Sequence, residues 1–104
     1  MKYSNKNPMI TRFVKLEILS EHIEDFKILT SNEKANILAF EGCSHLKVLQ
    51  DQNHPNIFFT VSHWESVMAL NKYRESAFFR NNWEQVKKWF LNKPEAWSLS
   101  ESIR

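Results

Sequence analysis

"IFFTVSHW", residues 57–64, is the stretch whose reading decides the fold. Turn-forming residues precede it in "QNHPN" (52–56), and a helix-capping serine, Ser66, follows it. Its β-branched and aromatic content marks a strand. Side chains alternate along a strand, so Ile57, Phe59, Val61 and His63 point one way. Phe58, Thr60, Ser62 and Trp64 point the other. A strand with apolar residues on both faces packs on both. One face is expected to meet helices, and the other a partner subunit, since a chain of 104 residues offers few other covers.

Working outward, "CSHLKVLQD" (43–51) reads as the strand before it, and the two form a hairpin. "MITRFVKLEIL" (9–19) reads as the first strand, with Ile10, Val14, Leu16 and Ile18 on one parity and Arg12 among them. Ser20 is the expected N-cap of a helix with Glu21 and Glu24 in its first turn. Ile23, Phe26, Leu29, Ile37 and Phe40 recur at helical spacing. Thr30 to Asn36 is polar on nearly every face, so this part is either exposed or lines something wet. Gly42 is expected to cap that helix in the left-handed conformation.

Beyond residue 64, Ser66 caps a short helix over Val67–Tyr73. The segment Ser76–Leu91 carries Phe79, Trp83, Val86 and Phe90 at i, i+4, i+7 and i+11, an amphipathic stripe. Pro94 follows, and "EAWSLSESI" (95–103) reads as a last strand. The order β-α-β-β-α-β is the ferredoxin-like α+β arrangement, an antiparallel sheet with helices on one face. The open face is most simply covered by a second copy of the chain. Residues 1–8 are expected to be a flexible tail, and 9–104 a single domain.

Composition narrows the function. The chain is 42% apolar and 25% charged, ordinary for a globular protein, but it holds eight Phe, four Trp and two Tyr. That aromatic share favours a bulky core, an aromatic-lined cavity or an apolar interface. A net charge of +2 with interspersed signs argues against nucleic acid. No run is apolar enough to span a membrane, and "MKYSNKNP" lacks the apolar core of a secretory signal. One cysteine, Cys43, fits a reducing cytoplasm. A single glycine leaves no glycine-rich phosphate loop.

Each candidate site residue also has an ordinary role. Trp64 either closes the end of a sheet face or lines a pocket. Thr60 and Ser62 share its face, as strand hydroxyls or as donors inside an aromatic cavity. Phe79 and Trp83 are core residues among which a flat aromatic ligand would fit, and Asn82 lies beside them. Tyr73 is a capping aromatic or a donor to a ligand oxygen, and Arg74 a solvated cation or an anion ligand. His63 falls on the partner-facing side, where His45 is its expected cross-strand neighbour. The four histidines have no metal-site spacing and no completing carboxylate, so no metal is expected. Cys43 opens a strand and reads as packing.

"MITRFVKLEI", "FEGCSHLKVLQD", "PNIFFTVSHWES", "ALNKYRES" and "NKPEAWS" together resemble the antibiotic biosynthesis monooxygenase domain family over nearly all of the chain after Pro8. The resemblance implies a homodimeric α+β barrel with a pocket between sheet and helices, shaped by a tryptophan at the position of Trp64. It implies chemistry without metal, flavin or other cofactor, in which a phenol or hydroquinone loses a proton and its anion reduces O2. The pocket set expected on this basis is Phe58, Thr60, Ser62, Trp64, Tyr73, Phe79, Asn82 and Trp83. No residue stands out as the catalytic base. Haem-degrading members carry an axial histidine where this chain has Trp83 and an asparagine where it has Val14. The sugar isomerases of the family carry histidines in the segment that reads "YRESAFF" here. The expected function is a monooxygenase of a planar phenolic or quinol-like molecule. The alternative is a non-catalytic dimeric binding or stress-related protein on the same fold.

Overall fold

β1 (Ile10–Glu17) and β3 (Ile57–Trp64) are the two central strands of a four-stranded antiparallel sheet of order β2-β3-β1-β4. The computed structural model describes residues 9–103, so the expected tail at 1–8 lies outside the described residues. β2 (Cys43–Gln50) and β4 (Glu95–Leu99) are the edges. One layer of helices covers one face: α1 (Ile23–Leu38) between β1 and β2, then α2 (Val67–Arg74) and α3 (Ala77–Val86) between β3 and β4. This is the ferredoxin-like α+β arrangement.

Register fixes the two faces. Arg12 pairs with Ser62 and Val14 with Thr60 across β1 and β3, while Leu46 and Val48 of β2 oppose Ser62 and Thr60. On the same face of β4, Ala96 and Ser98 oppose Val14 and Arg12. The helices pack on this face and leave two separate hydrophobic masses. Leu16, Ile18, Phe26, Phe58 and Val86 form one, and Ile10, Trp64 and Leu70 the other. The strand middles between them carry Arg12, Thr60 and Ser62, too small or too polar to join either.

Several boundaries differ from the sequence expectation. Ser20 does not cap α1: Ser20–His22 form a 3-10 turn, and α1 begins at Ile23 without a side-chain cap. Ile18 bridges Phe90, and the Leu19 N–H donates to the Trp89 carbonyl at 2.7 Å, which holds the chain extended past the point where Ser20 could act. Gly42 does not cap α1 either. The helix ends at Leu38 with Ala39 as a right-handed C-cap, and Gly42 turns the chain into β2 at φ +89°. A Cβ there would lie 2.5 Å from that of Ala69, so the turn requires glycine for space as well as conformation. Ser66 and Ser76 do cap their helices, accepting from the Ala69 and Phe79 N–H groups. The 76–91 segment is not one helix; α3 stops at Val86, a 3-10 turn spans Lys87–Trp89, and Phe90 is extended. β4 ends at Leu99, short of the expected 103. In the β2–β3 turn the main hydrogen-bonding device is Asp51, whose carboxylate accepts from the Asn53 and His54 N–H groups and is held below its ordinary pKa by them.

The opposite sheet face has no helix. Phe13 lies against Phe59 at 5.6 Å and Trp97 at 6.4 Å between ring centroids, with Leu49 and Leu99 about half exposed beside them. His45 and His63 are paired in register on this face, their rings 4.7 Å apart. No helix among the described residues is long and apolar enough to cross a membrane.

Candidate functional site

A cavity of about 830 Å³ opens between the two hydrophobic masses, bounded by the sheet below and by all three helices above. Its size and largely apolar lining are those of a small-molecule site. It exists because the strand middles cannot fill the space that the strand ends do. On β3 the large residues Phe58 and Trp64 flank Thr60 and Ser62, and on β1 Ile10 and Leu16 flank Arg12 and Val14.

The aromatic wall is a chain of rings. Trp64 stacks on Tyr73 at 5.0 Å, Tyr73 meets Phe79 edge-on at 5.1 Å, and Phe79 stacks on Trp83 at 5.8 Å. Trp83 in turn meets Phe90 at 5.3 Å. Trp64 has both of the roles open to it. It is 1% exposed and belongs to a hydrophobic mass, and its side chain also lines the cavity. Its indole N–H donates to the Ser62 hydroxyl at 2.9 Å. Ser62 accepts that bond and keeps its own O–H to give.

Of the eight residues expected together, Thr60, Ser62, Trp64, Tyr73, Phe79, Asn82 and Trp83 line this cavity. Phe58 does not. It packs on Phe26 at 4.7 Å in the larger hydrophobic mass, because strand alternation puts it on the correct face but beyond the end of the cavity. Thr30 and Glu33 of the polar middle of α1, with Ile37 just beyond it, line the cavity along one side. Arg12, Arg74, Lys87, Asn92 and Lys93 also line it, Lys87 being paired with Glu84 outside the lining, and Glu33 is its one carboxylate. Arg12 carried a sequence signal, a charge on the apolar parity of β1. Glu33 carried a weaker one, and the 91–94 segment none, having no periodicity.

The titratable groups sort by position. Burial, and secondarily the neighbouring Cys43, pushes the Tyr73 phenol up to about 12, so it is a donor and not a base near neutrality. Burial raises the Cys43 thiol, which makes a weak contact to the His45 carbonyl at 3.7 Å and has no activating partner. No histidine lines the cavity. His22 stacks on Trp89, His54 sits in the hairpin turn, and His45 and His63 are on the open face. Among the described residues, no three His, Cys, Asp or Glu side chains converge.

A conserved protein from Methanosarcina mazei matches with a TM-score of 0.87 at 19% identity, covering 91% of this chain and 94% of that one. A protein from Nitrosomonas europaea, itself only provisionally named an antibiotic biosynthesis monooxygenase, matches with a TM-score of 0.86 at 15% identity over 97% and 95%. Rv0793 from Mycobacterium tuberculosis matches at 0.84 and 14% identity over 92% and 97%. At these identities the likeness is one of fold. No curated protein matches the sequence. Residues 9–85 match the family model described as antibiotic biosynthesis monooxygenase, well over half of the chain, and the protein belongs to that family.

Proposed function

We propose that this chain is a cofactor-independent monooxygenase of a planar phenolic or quinol-like small molecule, bound in the cavity between sheet and helices. One observation carries the reading: an aromatic-walled cavity of about 830 Å³ that also presents hydroxyl, amide and carboxylate groups. Family membership supports the reaction type. Phe79 and Trp83 offer a flat face to a fused ring, and Trp64 closes one end of the slot. Thr60, Ser62, Asn82 and the protonated Tyr73 orient the ring oxygens.

Glu33, the one carboxylate on the lining, is the group placed to accept the phenolic proton. The electron-rich anion then passes electrons to O2 one at a time, a ring carbon–oxygen bond forms, and the hydroperoxide loses water. Phenol and O2 give quinone and water. One oxygen atom becomes the new carbonyl, and the other leaves with the O–H and ring C–H hydrogens. The ring supplies all four electrons, so the protein's part is proton acceptance, orientation and exclusion of bulk water.

The working unit in this reading is a homodimer through the open face, where Phe13, Phe59 and Trp97 form an aromatic patch. Light scattering after gel filtration is expected to give twice the chain mass, and Trp97→Glu the chain mass. A wild-type monomer would remove the dimer from the proposal.

Oxygen uptake with anthrones, naphthols and hydroquinones tests the chemistry on the wild type, Trp64→Phe and Glu33→Gln. The expected result is enzyme-dependent uptake that falls about a hundredfold in Glu33→Gln, the lower end of what a general base contributes. Naphthol binding with no uptake above the buffer rate across the panel would leave the non-catalytic binding protein as the reading.

A further inference from the structure

Arg12 and Arg74 reach the same cavity from different elements. Arg12 rises from the middle of β1, half-buried between the two hydrophobic masses, and its Nη1 donates to the Ser98 hydroxyl at 2.9 Å. Arg74 is the last residue of α2, exposed at the cavity rim. Neither forms an ion pair among the described residues, whose five ion pairs all lie elsewhere. Glu33 does not serve either of them; its carboxylate accepts from the Asn36 amide at 2.9 Å. Serine is a neutral partner, so the Arg12 charge is only partly satisfied. Burial first, and the charge of Arg74 second, hold the Arg12 pKa below its ordinary value.

Two guanidiniums converging on a largely apolar cavity, neither paired with its one carboxylate, are unfavourable in the empty protein. An anionic ligand removes the penalty. The guanidinium fork is planar and matches a carboxylate through paired N–H donors, and the adjacent ring wall matches a flat aromatic. We infer that the cavity takes a planar aromatic carboxylate, its carboxylate held by Arg12 and Arg74 and its ring against Phe79 and Trp83. The inference rests on reading this cavity as the ligand site and names the chemical class of what enters it.

The test is titration of the whole 104-residue chain with 2-naphthoate, 2-naphthamide and 2-naphthol, followed by calorimetry and tryptophan fluorescence. Wild type is expected to bind naphthoate at least about tenfold more tightly than the isosteric neutral amide, the effect of one charge-assisted pair. Arg12→Gln and Arg74→Gln each bring naphthoate down about tenfold and leave naphthamide unchanged. Arg12→Lys, with a charge but no fork, falls between. The Arg74 share weakens as salt rises, because that side chain is exposed. Equal binding of acid and amide, binding of neither, naphthol binding as tight as naphthoate, or an undiminished preference in both glutamine variants would each overturn the inference. Oxygen uptake is not the readout. A carboxylate preference without uptake keeps this inference and removes the oxygenase reading, and uptake on neutral phenols without the preference does the reverse.

Discussion

Ser62→Ala removes one hydroxyl from the cavity floor and thereby leaves a buried donor without an acceptor. The Trp64 ring is 1% exposed and its N–H has the Ser62 oxygen, at 2.9 Å, as its hydrogen-bond partner. A buried donor deprived of its acceptor costs about 1–3 kcal/mol. The methyl of alanine fits where Cβ already sits, so no packing change adds to that figure. Trp64→Phe removes the donor together with part of the ring, and its cost is mainly lost packing, roughly 1–3 kcal/mol. In the Trp64→Phe background, Ser62→Ala has no indole donor left to strand and should cost little. The double-mutant cycle therefore predicts a coupling of about 1–2 kcal/mol, with the double variant more stable than the sum of the singles requires. A domain of this length holds about 5–15 kcal/mol, so all three variants remain folded. Urea unfolding followed by far-UV circular dichroism measures the three differences, provided the slope with denaturant is unchanged. Coupling below about 0.5 kcal/mol would refute the reasoning, because it would mean that cavity water satisfies the indole as well as the serine does.

Gly42→Ala should destabilise by roughly 2–5 kcal/mol, since left-handed backbone costs about 1–2 and overpacking about 1–3, and thermal unfolding reads the loss. Tyr73 titrates at about 12 in the fold against an ordinary 10.0, so its contribution is intact below pH 10 and is lost as pH rises from 10 to 12, where the unfolded chain ionises first. Tyr73→Phe should flatten the urea midpoint across that window relative to wild type, and an unchanged slope would show the phenol to be solvated. Arg12→Gln, which weakens ligand binding, should leave the empty protein with a melting temperature equal to or above that of wild type, because a partly desolvated charge facing another is removed. A clear drop in the ligand-free scan would mean that the bond to Ser98 outweighs the charge cost.

Strand alternation makes much of this legible in the sequence. The parity of 57–64 separated Thr60, Ser62 and Trp64 from His63, and the structure keeps that separation. The same parity placed Arg12 among Ile10, Val14 and Leu16, where a charge is out of place unless something needs it. Alternation fixes a face but not a distance along it, which is why Phe58 fell on the correct side and outside the cavity. Periodicity also outlives the element that produces it. Phe90 keeps the facing of the Phe79–Trp83–Val86 stripe although the helix has ended at Val86, because the 3-10 turn and the bridge to Ile18 hold it there. Gly42 and Ser20 misled for a common reason. Each is a good local signal with another role in the fold: Gly42 turns the chain into β2 beside Ala69, and Ser20 follows a segment held extended by Trp89 and Phe90. Glu33 and Lys93 reach the cavity by the placement of whole elements, which no short window of sequence contains.

The two hydrophobic masses share β1 and β3 but are divided by the cavity. The empty protein is thus joined across its middle by strand hydrogen bonds and by one chain of rings, Trp64–Tyr73–Phe79–Trp83–Phe90. Local opening at the Trp64 end need not disturb the Phe26 end, and amide exchange should proceed there in two units of different protection. A ligand that touches both masses adds side-chain contacts between them to those of the ring chain. Occupancy would then do more than add its own binding energy: it would merge two partly independent unfolding units into one, and the two rates of exchange would converge.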